Sequence, residues 1–180
     1  MINSLLSSLL LANLLFTPIR TPIISPRDED KTPETLEKER FRRKCFEDLS
    51  IALQDKFGFE VEPTGWPSNQ PEISFISFST YYPAVESQEE ARKLLVEAVS
   101  FILSYINDSP EIVPYLKEYP ITSKEMFFNI MFVENLMSSK GWGSVNLSRG
   151  TVNYGYVYGK IKVPSETFEE AKAKVAASSR

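Results

Sequence analysis

The residue types that most often carry enzyme chemistry are scarce in this chain of 180 residues. Histidine is absent, and Cys45 is the single cysteine. Without imidazole, the Ser-His and Cys-His pairs that activate a nucleophile cannot form, and neither can zinc or iron sites that use histidine. Carboxylates or a serine beside a lysine remain, but no spacing of such residues forms a catalytic or metal-binding motif. The sequence therefore predicts no catalytic residue, no metal and no cofactor.

The sharpest candidate binding feature is an alternating run near the C terminus. Because side chains alternate across a strand, three tyrosines and two lysines would share one face, where the rings can stack and the ammonium groups can hold an anion. These residues are Tyr154, Tyr156, Tyr158, Lys160 and Lys162. The alternative is that the tyrosines serve the sheet itself, since they pair well across strands.

Trp142 is a further candidate, because it lies between Gly141 and Gly143 in a predicted loop from Asn135 to Gly143. An indole there is either a binding anchor or a hydrophobic plug. The net charge of −4 gives no general attraction to nucleic acid. We therefore predict a protein partner. A weaker interpretation is that the tyrosine strand binds single-stranded nucleic acid.

Residues 1–24 read as an apolar leader, followed by a polar linker at residues 25–31 and one α+β domain at residues 32–178. The leader is signal-like or membrane-associating, which favours an exported or membrane-associated protein over a cytoplasmic one. However, no Lys or Arg precedes the apolar run and no clear cleavage site follows it. A packed or disordered cytosolic extension is the alternative.

Three segments predict helices. Thr32 and Pro33 match the start of a helix whose apolar residues recur at spacings of three and four, with Gly58 placed to end it. Ser87 to Glu90 is a capping box, in which Glu90 returns a bond to the Ser87 amide, and it opens the second main helix. Thr167 to Glu170 is a second capping box that opens a short terminal helix.

Between these helices, β-branched and aromatic runs predict strands. They are Phe59 to Pro63, Ile73 to Tyr82, Met126 to Val133, and a hairpin of Ser144 to Ser148 and Thr151 to Val163 that turns at Arg149-Gly150. Short loops between consecutive strands favour antiparallel pairing. The predicted fold is an α+β domain, with an antiparallel sheet of four to five strands packed against two main helices. The order is αββα(α)βββα, in which the bracketed element is a single helical turn at Tyr115-Leu116.

One stretch, from about Phe46 to Phe132 or half of the chain, resembles a known group of sequences. The matching segments are Tyr81-Tyr82-Pro83-Ala84-Val85-Glu86, Glu89-Glu90-Ala91-Arg92, Ile106-Asn107, Pro114-Tyr115-Leu116 and Tyr119-Pro120. They resemble small uncharacterised α+β proteins of chlamydia-like intracellular bacteria. The resemblance implies a bacterial protein with an envelope or host-facing role, and it brings no activity and no site residue.

Together these features predict a non-enzymatic interaction protein, envelope-associated or exported. It would bind a protein partner through its sheet or through the Gly141 to Gly143 loop, with membrane contact through residues 1–24. The alternative is a small hydrolase or transferase that uses carboxylate or Ser-Lys chemistry. The sequence leaves the oligomeric state open.

Overall fold

The computed structural model describes residues 32–62, 72–157 and 163–178. The described residues from Pro33 onward belong to one unit with its own hydrophobic core. The predicted leader and linker, residues 1–31, lie outside the described ranges. Among the described residues, no helix combines the length and the apolar character needed to cross a membrane.

Within the described ranges four α-helices form, two of them where amphipathic periodicity predicts the main helices. They are α1 (Pro33–Phe57), α2 (Gln88–Asn107), α3 (Val133–Ser138) and α4 (Phe168–Ser178). Gly58 ends α1 as predicted: it has φ +71°, and its N–H donates to the Gln54 carbonyl at 2.8 Å. α3 is a correction, because the sequence predicts a loop there.

The predicted capping box of α4 forms with both of its hydrogen bonds, whereas that of α2 departs from the prediction in one bond. At the start of α4, Glu170 accepts a bond from the Thr167 amide at 2.7 Å and donates its own amide to the Thr167 hydroxyl at 3.2 Å, as predicted. At the start of α2, the Glu90 amide donates to the Ser87 hydroxyl, but the Glu90 carboxylate accepts from the Glu86 amide and not from the Ser87 amide. The carboxylate therefore reaches one residue further back than the prediction.

In the described part of the chain, the sheet contains six strands in chain order, so strands that are neighbours in sequence are neighbours in space. The strands are β1 (Glu60–Glu62), β2 (Ile76–Tyr82), β3 (Met126–Phe132), β4 (Trp142–Ser148), β5 (Thr151–Tyr156) and β6 (Glu166–Thr167). β2 and β3 pair in parallel, and every other neighbouring pair is antiparallel. The α+β class is confirmed. The predicted four-to-five-stranded antiparallel sheet with two main helices is only roughly right, because α2 carries the chain back to start β3 parallel to β2.

One face of the sheet is covered by helices. Phe78, Phe128, Leu147 and Val152 are aligned partners across β2 to β5, and all four are buried. Phe46 of α1 stacks on Phe78 with ring centroids 4.4 Å apart. Leu95 of α2 and Phe168 of α4 belong to the same buried core. Helices α1, α2 and α4 therefore lie on this face.

The alternate positions of β2 to β5 form the opposite surface, which we call the outer face. Its side chains are mostly partly buried, as expected for the less covered side of a sheet, and no described helix packs over its centre. The outer face comprises Ser77, Ser79, Tyr81, Phe127, Asn129, Met131, Ser144, Asn146, Ser148, Thr151, Asn153 and Gly155.

The β4–β5 hairpin turns at the predicted position. Arg149 has φ +49° and Gly150 has φ +81°. Two consecutive residues with positive φ fit the tight turns that match strand twist, and glycine adopts this conformation without a steric cost. β5 ends at Tyr156, earlier than the predicted Val163, and residues 158–162 lie outside the described ranges.

Candidate binding site

Trp142 is the first residue of β4 and does not lie on a loop. Its strand partner is Tyr156, and the pairing register shifts between Trp142 and Ser144. Gly143 is therefore the extra residue of a β-bulge, which bends the strand and redirects its side chains. The bulge brings the partly buried indole to the tyrosines of β5.

Three predicted site residues meet in one aromatic cluster. The Trp142 ring lies edge-on to Tyr154, with centroids 6.1 Å apart, and edge-on to Tyr156, with centroids 5.4 Å apart. This is a favourable geometry for aromatic pairs. Tyr156 and Trp142 are partly buried, whereas Tyr154 is only 9% exposed. The other three predicted residues, Tyr158, Lys160 and Lys162, lie outside the described ranges, so their place on this face stays a prediction.

Tyr154 is held by a buried polar network. Its phenol donates a hydrogen bond to the Glu166 carboxylate, which also accepts from Lys174 and, at 2.7 Å, from the Arg92 Nε. The Arg92 guanidinium also lies 5.6 Å from the centroid of the Tyr154 ring. The network joins α2, β5, β6 and α4, and it therefore fixes the C-terminal elements to the rest of the domain.

The charges of this network are fixed near neutral pH. Burial works to raise the pKa of Glu166, but the hydrogen bonds from Arg92, Lys174 and Tyr154 outweigh it and hold the pKa below its usual value. Burial, together with the bond to Glu166, raises the pKa of Tyr154. Neither group is poised to exchange a proton at neutral pH, so the network suits anchoring better than acid–base chemistry.

Helix α3 is clamped beside Trp142. The Asn135 Nδ2 donates to the carbonyl oxygens of Val85, at 2.8 Å, and of Trp142, at 2.9 Å. A Cβ at Gly143 would lie 3.0 Å from Leu136 Cδ2, so Leu136 packs directly against this glycine. The small residue in the bulge thus allows α3 to approach β4 closely.

Two apolar side chains of α3 remain in solvent. Leu136 is 44% exposed and Met137 is 81% exposed. We name Leu136, Met137, Trp142 and Tyr156 the apolar corner. Sequence reasoning missed Leu136 and Met137, because their segment predicts a loop; the available signal was an adjacent apolar pair surrounded by polar residues.

The described residues also contain a shallow groove on the helix side, of about 280 Å³. Ser100, Ser123, Glu169 and Lys172 contribute polar groups to it. The Lys172 ammonium lies 3.2 Å from the Glu169 carboxylate, and its side chain is 46% exposed. This lysine is neither buried nor unpaired, so the groove does not favour the Ser-Lys alternative. Among the described residues, no cluster of three or more acidic or cysteine side chains could hold a metal ion.

A scan against protein-family models and searches of curated proteins and of solved structures found no match to this chain. The resemblance to proteins of chlamydia-like bacteria therefore stays a prediction.

Proposed function

We propose that this protein is a non-enzymatic interaction protein that binds a protein partner through the apolar corner. The observation that carries the proposal is the exposure of Met137, 81%, and of Leu136, 44%, on a helix that hydrogen bonds and packing hold beside Trp142. Because the backbone of α3 is already held in place, covering these side chains costs only their own rotamer freedom and not the ordering of the helix.

The composition of the apolar corner supports a protein partner. Tryptophan, tyrosine and methionine are enriched in protein interfaces, and interface energy is concentrated in a few such anchors. Trp142 and Tyr156 are already immobilised by their edge-on contact, which lowers the entropic cost of binding. The Asn135 clamp fixes α3 in the same way. The corner is thus preorganised for association.

We also propose that the protein acts at, or beyond, a membrane. The support is the apolar composition of residues 1–24, whose first nineteen residues include no charged side chain. Replacing Leu9 and Leu10 by arginine should shift the protein from the membrane or exported fraction to the soluble cell fraction. An unchanged distribution would contradict this part of the proposal.

Photo-crosslinking tests the protein-binding role directly. A photoreactive amino acid at position 137 of the full chain, expressed in its native cells, should crosslink to one defined protein. The matched control is position 51, because Ile51 on α1 is also an exposed apolar residue, at 57%. A crosslink from position 137 that Trp142→Ala abolishes is the expected result.

Equal crosslinking from positions 51 and 137 would show that exposure alone explains the contact. If the crosslink at position 137 persisted in Trp142→Ala, Trp142 would not be needed for partner binding, and this would contradict the aromatic part of the proposal. No protein crosslink at position 137 would contradict the proposal as a whole.

A further inference from the structure

The outer face of the sheet carries an aligned row of amide and hydroxyl groups. Ser79, Asn129, Asn146 and Asn153 are successive partners across β2 to β5. Neighbouring strands lie about 4.8 Å apart, so the row is about 14 Å long. Such a row presents one polar side chain per strand at a regular spacing.

Much of the hydrogen-bonding capacity of this row is unused. Asn153 donates to Asn146 Oδ1 at 3.2 Å and accepts from Ser165 at 2.7 Å. Within the described ranges, the side chains of Asn129 and Ser79 form no hydrogen bond, and Asn146 uses only its oxygen. An asparagine side chain offers two donor and two acceptor positions. The centre of the row can therefore pair with several further groups.

The outer face has no charge on its four central strands. None of the outward side chains of β2 to β5 carries a formal charge at neutral pH. Glu60 and Glu62 of the edge strand β1 are the register partners of Tyr81 and Ser79, so two acidic residues border the outer face at this edge. Phosphate-bearing ligands need cations, which this surface does not supply.

We propose that the outer face binds an uncharged polysaccharide. Sugar hydroxyls both donate and accept, so they match amide and hydroxyl side chains. Phe127 and Tyr81 lie in the rows on either side of the amide row, where their rings can cover the apolar faces of the sugars. A row that crosses four strands suits an extended chain.

A second protein sheet fits this surface less well. The amides of Asn129 and Asn146 would be left without partners under an apolar surface, and unpaired buried polar groups are costly. A hydroxyl-rich ligand satisfies them instead. This inference concerns a surface separate from the apolar corner and does not depend on the proposed function.

A depletion assay tests the proposal, with the full chain mixed with insoluble cellulose, chitin and xylan, and with polygalacturonate as the acidic contrast. We expect retention on at least one neutral polymer. Asn129→Leu should weaken it about tenfold, since one or two hydrogen bonds are lost. Asn129→Asp, which keeps the shape and replaces the amide by a charge, should do the same. Gln54→Leu removes an exposed amide from α1 and is the matched control.

Three results of the depletion assay would overturn the proposal. They are the absence of retention on every neutral polymer, equal retention of the Asn129 variants and the parent chain, and retention on polygalacturonate alone. Sedimentation should show the same oligomeric state for parent and Asn129→Leu; a dimer lost in the variant would assign the face to a second copy and also overturn it. Met137→Asp should leave retention unchanged, which separates this outcome from that of the apolar corner.

Discussion

The phenol of Tyr154 donates a hydrogen bond to the carboxylate of Glu166, and both side chains are buried. Because of this contact, two tyrosines of the predicted binding series have different roles. Tyr154 anchors β5 to the C-terminal elements, whereas Tyr156, two residues later, lies at the edge of the cluster beside Trp142. The anchor therefore positions the ring that we propose for binding.

Removing Arg92 should strongly destabilise the domain. In Arg92→Ala, Glu166 keeps Lys174 and Tyr154 but loses a buried cation at 2.7 Å. Because Lys174 still pairs with Glu166, the expected cost is that of a lost hydrogen bond to a charged group, about 1.5–3 kcal/mol. Urea unfolding measures this loss directly.

The control for this change is Lys93→Ala, on the next residue of α2. Lys93 is exposed and pairs with Glu97 only at 3.9 Å, so its loss should change the free energy of unfolding by less than about 0.5 kcal/mol. Similar effects of the two changes would contradict the anchoring role of the network.

The lowered pKa of Glu166 predicts a pH dependence of stability. A carboxyl group whose pKa is lower in the folded state than its ordinary value of 4.5 stabilises the fold above that pH. This contribution is lost as the pH falls from about 4.5 through the folded-state pKa. The free energy of unfolding of Glu166→Gln, measured from pH 7 to pH 2, should therefore approach that of the parent chain at the acidic end. A difference that stays constant with pH would contradict this assignment.

Asn135 should control the order of α3. Asn135→Ala removes the bonds to the Val85 and Trp142 carbonyl oxygens, and each should be worth about 1 kcal/mol. We expect faster amide hydrogen exchange in α3 and weaker partner binding, with a small loss of global stability. Lys140→Ala, which changes an exposed residue just after the helix, is the control. Unchanged exchange in Asn135→Ala would mean that packing of Leu136 alone holds α3.

Local signals predicted most of the elements correctly. Helix periodicity and capping residues act within a few positions, so α1, α2 and α4 follow from sequence. Glycines correctly predicted where α1 ends, at Gly58, and where the hairpin turns, at Gly150, because both positions have a positive φ.

Relationships between distant residues were not predictable in the same way. The parallel pairing of β2 with β3 depends on the path that α2 takes over the sheet, although a helix between two strongly apolar strands was a usable signal. The burial of Tyr154 depends on Arg92 and Glu166, which come from other elements. The two glycines beside Trp142 suggested a loop, whereas Gly143 forms a bulge inside the β4–β5 ladder.

The central claim is that the apolar corner carries partner binding. The most direct test is the dissociation constant between the full chain and the protein that crosslinks at position 137. Met137→Asp and Trp142→Ala should each raise it about 30-fold, equivalent to the loss of about 2 kcal/mol at an interface anchor. Ile51→Asp, at the matched exposed position on α1, should leave it within about twofold. Equal effects at positions 51 and 137, or no effect at either, would contradict the claim.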